Sequence, residues 1–511
     1  MTSTTWVMVV TIVFYLAMMI YVGIKYSKKN KTTDDFYLGG RKLGPVVTAM
    51  SAEASDMSAW LLMGLLGTAL MTGLAEATWT AIGLAVGTYL NWLFVAKRLR
   101  KYSEKIGAVT IPEFFSKRFK DKKNILSAIA AIVIIVFFAP YTASGFAACG
   151  KLFKSIFGMD YQVAMIISAV VIIIYCTLGG FLAASTTDFI QSIVMTFALV
   201  AALGIGEGIL GGFGKVFANV KSLDGYLDIT KGFDVAKGAT GSYGTLAVVS
   251  TLAWGLGYFG MPHVLLRFMA IEDAKKLKTS RRIASVWVVI SMAVAVLIGV
   301  VGYGLMKAGI APAYADKSAA ETILVDIAGF LSTRGYIPAL VGGIFLAGIL
   351  ASTMSTADSQ LIAASSSVTR DLVINAFGIK LSEKASMILA RLSVIIISVI
   401  AIFLALDPES SVFQIVKFSW AGFGAAFGPA ILFSLFWKRT TKWGVLAGMI
   451  SGGAMIFIWK FVIAKLGGIF DIYELLPAFI ISSIFIIAVS LMTKAPSDDV
   501  IKEFEAIKHN Q

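Results

Sequence analysis

Apolar residues run in blocks of roughly twenty along nearly the whole chain, with short polar stretches between them. A helix of that length crosses a hydrocarbon core about 30 Å thick. The blocks fall at 6–25, 46–73, 77–96, 125–149, 162–182, 186–210, 244–270, 283–307, 337–366, 386–406, 412–436, 443–464 and 474–493. They predict an all-α, polytopic membrane protein of about thirteen transmembrane helices, one domain over residues 1–511. The short alternating segments of a transmembrane β-barrel are missing. The first block is too long for a signal-peptide core, so it is expected to stay attached.

Composition strengthens this picture. The chain is 58% hydrophobic and only 14% charged, against about a quarter charged for a soluble domain. A net charge of +14 could point to nucleic acid, but the cations gather in alternate loops. Lys25, Lys28, Lys29, Lys31, Arg41 and Lys42 follow the first block, and Lys97, Arg98, Arg100 and Lys101 the third. Lys275, Lys276, Lys278, Arg281 and Arg282 follow the seventh, Arg370, Lys380 and Lys384 the ninth, and Lys438, Arg439 and Lys442 the eleventh. That is the positive-inside pattern. It predicts a multi-pass protein of the cell (inner) membrane, with the N-terminus outside and the 494–511 tail in the cytoplasm. The link between the fifth and sixth blocks carries no Lys or Arg. Residues 211–243 and about 308–336 are expected as outside loops with short helices, and 106–116 as a short amphipathic piece inside. Cys149 and Cys176 lie in or beside apolar blocks, and His263 and His509 are the only histidines. Neither a disulfide framework nor a His/Cys transition-metal site is expected.

The chemistry sits where charge is most costly. Ser51-Ala-Glu-Ala-Ser-Asp-Met-Ser58 places Glu53 and Asp56 inside the second block. An Asp at a helix centre costs roughly 2.5–3.5 kcal/mol on insertion scales, and is kept only where it faces protein, water or an ion. The small polar residues around it predict a break in the helix, which frees carbonyls to coordinate Na⁺. The alternative is close helix packing through small side chains. The ninth block places Ser352, Ser355, Thr356 and Ser359 on neighbouring helical faces beside Asp358. Its hydroxyls are either neutral Na⁺ ligands or back-bonded to their own helix. In the seventh block, Gly255, Gly257, Gly260 and Pro262 predict a broken or kinked helix. Trp254 and Tyr258 share one face there and suit an apolar or amphipathic ligand body. Asp188 opens the sixth block, as a helix cap or on an ion path. Tyr141, beside Pro140, is a pocket wall or plain packing.

These motifs, with Phe36-Tyr-Leu-Gly-Gly-Arg41, closely resemble the bacterial sodium/proline symporters of the sodium/solute symporter family, along nearly the whole chain. The resemblance implies a leucine-transporter-like core of two inverted five-helix repeats, about 46–210 and 244–436, with extra helices at 6–25, 443–464 and 474–493. It implies Na⁺ held by carbonyls of Ala54, Met57 and Ser352 and hydroxyls of Ser355 and Thr356. It makes Asp56 essential for sodium dependence and gives Asp188 influence over sodium passage. It sets Ser58, Tyr141, Trp254, Tyr258 and Pro262 around proline. Met261 and Leu66 depart from the family's Gln and Pro, Ser352 replaces Ala, and Ala357-Asp358-Ser359 also differs, so Asp358 could assist a second cation. The function so implied is Na⁺-coupled uptake of L-proline by alternating access. It involves the lipid bilayer, the solute and Na⁺ as coupling ion, with no organic cofactor, no nucleic acid and no enzymatic chemistry. A sodium symporter of another amino acid or small carboxylate is the nearest alternative; a channel or membrane sensor is the distant one.

Overall fold

A computed structural model describes residues 2–27 and 32–508. Lys28, Lys29, Lys31 and His509 lie outside the described residues. Among the described residues, ten helices are long and apolar enough to cross a membrane, eleven if one sharply bent pair counts as a span. The difference from the thirteen expected falls at the shorter apolar helix Tyr161–Thr177 and the segmented stretch at 245–270.

In chain order, α1 is Ser3–Ser27, α2 Pro45–Asp56, α3 Trp60–Thr72, α4 Leu74–Lys105, α5 Ile111–Arg118 and α6 Ile125–Phe157. Then come α7 Tyr161–Thr177, α8 Gly179–Leu210 and α9 Phe213–Lys221. After an antiparallel hairpin, β1 Lys231–Asp234 and β2 Ala239–Ser242, follow α10 Thr245–Leu252 and α11 Pro262–Ala270. The rest are α12 Leu277–Lys307, α13 Ile323–Ser332, α14 Tyr336–Ser366, α15 Glu383–Leu404, α16 Val412–Phe436, α17 Lys442–Ile458, α18 Leu475–Met492 and α19 Asp498–Lys508.

Three breaks follow from local chemistry. Between α2 and α3 the axis bends by 59° over Met57–Ala59, where small polar side chains compete with the backbone ladder. Between α10 and α11 the glycine-rich stretch tightens to a 3₁₀ turn, Ala253–Gly260. Met261 is extended there because it precedes Pro262, the first residue of α11. Between α7 and α8 there is no loop at all. The chain pivots at Gly180, with φ 71° and ψ 177°, a conformation open to glycine. This accounts for the missing cations: a link so short has no room for them.

The two polar loops carry the short helices expected of them, and the first adds a hairpin. The first carries α9 and the hairpin, and folds back on α3. Its Tyr226 hydroxyl donates to the carbonyls of Ala69 and Leu70 at 3.0 Å, closing the C-terminal end of α3. The second contains α13, whose apolar face is buried.

α14 runs along the α7–α8 unit and α1, while α16 packs on the 253–260 turn and α6. The outward faces of α1, α8, α15 and α18 remain apolar and exposed, as lipid contact requires. On the basic face, Arg41 ties three elements together. It donates to the carbonyls of Met269 and Ala108, each at 2.6 Å. Burial and neighbouring Arg100 push its guanidinium down to about 10.

Candidate functional site

The broken α2–α3 helix, the 253–260 turn and α14 meet at the centre of the molecule. Ser355 on α14 donates to the carbonyl of Ala54 at 2.8 Å and lies 3.2 Å from that of Ser352. Of the five oxygens singled out in the sequence, the carbonyls of Ala54 and Ser352 thus both lie within one hydrogen bond of a third, the Ser355 hydroxyl. Thr356 Oγ1 is buried and has no hydrogen-bond partner among the described residues. Met57 follows α2 at the break and has left helical geometry, with φ −83° and ψ 71°. Hydroxyls and freed carbonyls are neutral, hard oxygen donors, the kind a broken transmembrane helix offers to Na⁺.

Asp56 ends α2 and is wholly buried. Its Oδ2 accepts a short hydrogen bond from the Tyr258 hydroxyl. Its own carbonyl accepts from Tyr141 at 3.2 Å and from the Trp60 indole at 3.1 Å. Oδ1 has no partner among the described residues. Ser58 sits two residues beyond, in the break. The structure therefore gathers Ser58, Tyr141 and Tyr258 around Asp56, with Pro262 buried at the head of α11.

Trp254 stands inside an aromatic cage whose other members the sequence did not single out. Its ring centroid lies 6.1 Å from Trp60, 5.3 Å from Phe413, 5.3 Å from Tyr473 and 6.4 Å from Trp420. Tyr258 meets Trp420 edge-on at 5.0 Å. Each such pair contributes about 0.5–1.5 kcal/mol beyond area burial. Trp420 donates to the Trp254 carbonyl at 2.7 Å, which holds the 3₁₀ turn against α16. The only sequence signal for these residues is aromatic content within apolar blocks, and that does not separate a cage from core.

A buried ion pair fastens the side of the cage away from the basic loops. Lys151 and Glu321 lie 2.7 Å apart. Glu321 also accepts from the Ser411 hydroxyl and from the backbone N–H groups of Val412 and Phe413, at 2.7, 3.1 and 3.0 Å. Its carboxylate therefore caps the N-terminus of α16, where the helix dipole favours negative charge, and fixes Phe413 over Trp254.

Toward the basic loops lies a second polar cluster. Asp188 does not cap a helix: it lies nine residues beyond the start of α8, buried, where helical N–H groups are already paired. Its Oδ2 accepts from Ser51 at 2.7 Å and from Arg267 at 3.0 Å. Arg267, on α11, also donates to Ser51, Ser359 and the His263 carbonyl at 3.0, 2.5 and 3.0 Å. Asp358 joins the cluster through Ser359 at 3.1 Å. Arg267 is the member of this cluster that the sequence reading did not single out, because near the end of a block it passes for one more loop cation.

Glu53 belongs to neither group. It accepts from Thr88 at 3.0 Å and from the Trp92 indole at 2.8 Å, both through Oε1.

Known proteins agree with this architecture. The model of the family described as "Sodium:solute symporter family" matches residues 36–452. The osmoregulated proline transporter OpuE of Bacillus subtilis is 41% identical over 490 residues, 96% of this chain and 95% of that one. The sodium/proline symporter of Escherichia coli is 42% identical over 506 residues, covering 98% and 96%. Among solved structures, a Na⁺-coupled sialic acid symporter in a substrate-bound outward-open state superposes with a TM-score of 0.77 at 18% identity, over 96% of this chain and 99% of that one. That likeness establishes the all-α, leucine-transporter-like fold anticipated from the sequence. With matches of this length and identity, the chain belongs to the sodium:solute symporter family.

Proposed function

We propose that this protein imports L-proline together with Na⁺ by alternating access, across the cell (inner) membrane, with its N-terminus outside and its C-terminus cytoplasmic. The observation that carries the reading is the contact between α2 and α14, where the carbonyls of Ala54 and Ser352 converge on the Ser355 hydroxyl. Both helices must stay in register for those oxygens to surround one ion, so binding Na⁺ there favours one arrangement of the two repeats, about 46–210 and 244–436. Met57 and Thr356 complete the ligand set. Asp56 supplies the negative field and, through Tyr258 and Tyr141, ties the ion site to the solute site. Ser58, Trp254, Tyr258 and Pro262 line the solute site with Tyr141. Asp188 stands on the path by which Na⁺ leaves toward the basic face.

Because one arrangement serves both ligands, each raises the affinity of the other by the same factor. The names of the relatives support proline as the solute. Uptake of labelled proline into proteoliposomes is expected to need an inward Na⁺ gradient; equal uptake with K⁺ alone would refute coupling. A competition panel of amino acids and small carboxylates tests the solute, and a better competitor than proline would reassign it.

A further inference from the structure

Arg98 and Arg118 are two buried cations that the mechanism above does not use. Arg98 stands on α4 just past the apolar block 77–96, and Arg118 ends α5. They are 6% and 0% exposed. Both guanidiniums meet at one ring, that of Phe504 on the C-terminal helix α19, at 4.9 and 5.2 Å from its centroid. Among the described residues, neither arginine forms an ion pair. The carboxylates flanking Phe504 are spent elsewhere, Glu503 on Lys120 at 3.0 Å and Glu505 on Lys438 at 3.5 Å. Nε and Nη2 of Arg98 and both Nη atoms of Arg118 are buried, with no hydrogen-bond partner among the described residues. The same holds for the hydroxyl of Tyr102, whose ring lies 5.2 Å from the Arg118 guanidinium. Arg118 uses only Nε, on the Ser434 carbonyl at 3.2 Å.

An aromatic face offsets part of a cation's lost hydration, but it accepts no hydrogen bond at the guanidinium edge. Guanidinium forks match the oxygens of a phosphate, two N–H groups to one anion. Two such forks meeting at one ring, with a bare phenol beside them, form an oxyanion seat that a phenyl group fills. The tail that supplies this ring is weakly held. α19 has 11 residues, fewer than the roughly 12–15 at which an isolated helix stands by itself. Its buried stripe is Val500, Phe504 and Ile507, at four- and three-residue spacing. Its ion pairs to Lys120 and Lys438 are open to solvent, and pairs of that kind contribute little.

The place of the seat decides which phosphate reaches it. Phe436, whose ring lies 4.9 Å from the Arg98 guanidinium, is exposed on the outer surface at the end of α16. A cavity of about 310 Å³ lies beside the seat. Phe119, 4.8 Å from the Arg118 guanidinium, walls it with Lys442, Trp443, Lys494 and Val500. Among the described residues no acidic side chain lines it, although Lys442 also reaches Asp121 at 3.6 Å. Trp443 is exposed as well, and exposed Trp marks the headgroup level of a bilayer. A basic pocket at that depth meets anionic headgroups sideways from the leaflet.

We propose that Arg98, Arg118 and Tyr102 bind the phosphate group of an anionic phospholipid from the leaflet on the basic face, with its headgroup in the cavity beside Lys494. The lipid and Phe504 exclude each other, so binding frees α19 from α4 and α5.

The test uses the full-length protein in nanodiscs, spin-labelled through Lys502→Cys at an exposed position of α19; the native Cys149 and Cys176 are buried. In phosphatidylcholine alone the label is expected to report a docked tail. Adding phosphatidylglycerol is expected to raise the ratio of free to docked tail about tenfold, the effect of a ligand at about ten times its Kd for the free state. Arg98→Gln with Arg118→Gln is expected to abolish that response. Lys105→Gln with Lys122→Gln, an equal loss of charge on the same face, is expected to keep it. A tail that ignores phosphatidylglycerol overturns the proposal. So does an equal loss in both double variants, the mark of diffuse surface charge. Inorganic phosphate added to phosphatidylcholine nanodiscs separates the two sources, and release by phosphate that matches phosphatidylglycerol overturns the lipid as ligand. If the arginine variant fails to insert, Phe504→Ala decides. With the competing ring gone, native mass spectrometry is expected to show phosphatidylglycerol retained about tenfold more tightly than in wild type; unchanged retention overturns the proposal.

Discussion

Two pairs of carboxylates are buried in the same membrane-spanning core, and the chain treats them in opposite ways. Asp188 pairs with Arg267, whose guanidinium reaches α2, α8, α11 and α14, and Asp358 is tied to it through the Ser359 hydroxyl. Glu53 and Asp56 receive hydroxyl and indole hydrogens but no cation of the protein's own. The first pair is held by the protein's own charge and acts as a fastening between helices. The second leaves its charge to be met by something that comes and goes. In a medium where an unpaired charge is so costly, carboxylates without a resident cation are the first to test as partners of a transported ion.

That contrast can be broken from either side. The largest effect is expected at Arg267. Arg267→Ala leaves Asp188 buried without its counter-charge and removes the donor that links Ser359 and Asp358 to it, at a cost of about 3–5 kcal/mol. Thermal unfolding of the solubilised protein should drop accordingly, and adding Asp188→Asn to Arg267→Met should restore much of the loss. An undiminished melting temperature in Arg267→Ala would erase the distinction between the pairs. Asp56→Asn should leave stability nearly intact yet lower Na⁺-driven uptake about a hundredfold, about 2.7 kcal/mol, with a weaker apparent affinity for Na⁺. Unchanged sodium affinity in that variant would move the ion site away from the unpaired carboxylates.

Trp254→Ala opens the aromatic cage and should weaken solute binding by about 1–3 kcal/mol, with a smaller change for Na⁺. An equal loss for both ligands would mean that the cage serves the whole site rather than the solute. The smallest effect is expected at Ser355→Ala, which removes the hydroxyl between Ala54 and Ser352. A tenfold fall in sodium affinity, about 1.4 kcal/mol, should appear in Na⁺ titrations of uptake, while proline affinity at saturating Na⁺ stays within a few-fold.

Much of this was legible along the chain. The helix crossings were readable because each needs its own apolar block, and the break at Met57–Ala59 because Ser51, Ser55 and Ser58 crowd around a carboxylate. The hydroxyls at Ser352, Ser355 and Thr356 were visible by helical spacing. Asp188 was visible as a charge, read as either a cap or part of an ion path; the cap fails because the pivot at Gly180 sets the helix start nine residues earlier than a cap requires. The hairpin 231–242 escaped notice because its strands carry little apolar alternation.

The sequence by itself determined the membrane fold and where helices break, because hydropathy, glycine, proline and small polar residues act locally. Only the tertiary structure decided which buried charges are partnered. Arg267 and Asp188 are 79 residues apart, Ser355 and Ala54 are 301 apart, and Glu53 finds Trp92 at a distance of 39. Local propensity carries no information about pairings so remote. Their cost is set by the low dielectric of the packed core, which forms only when the helices assemble.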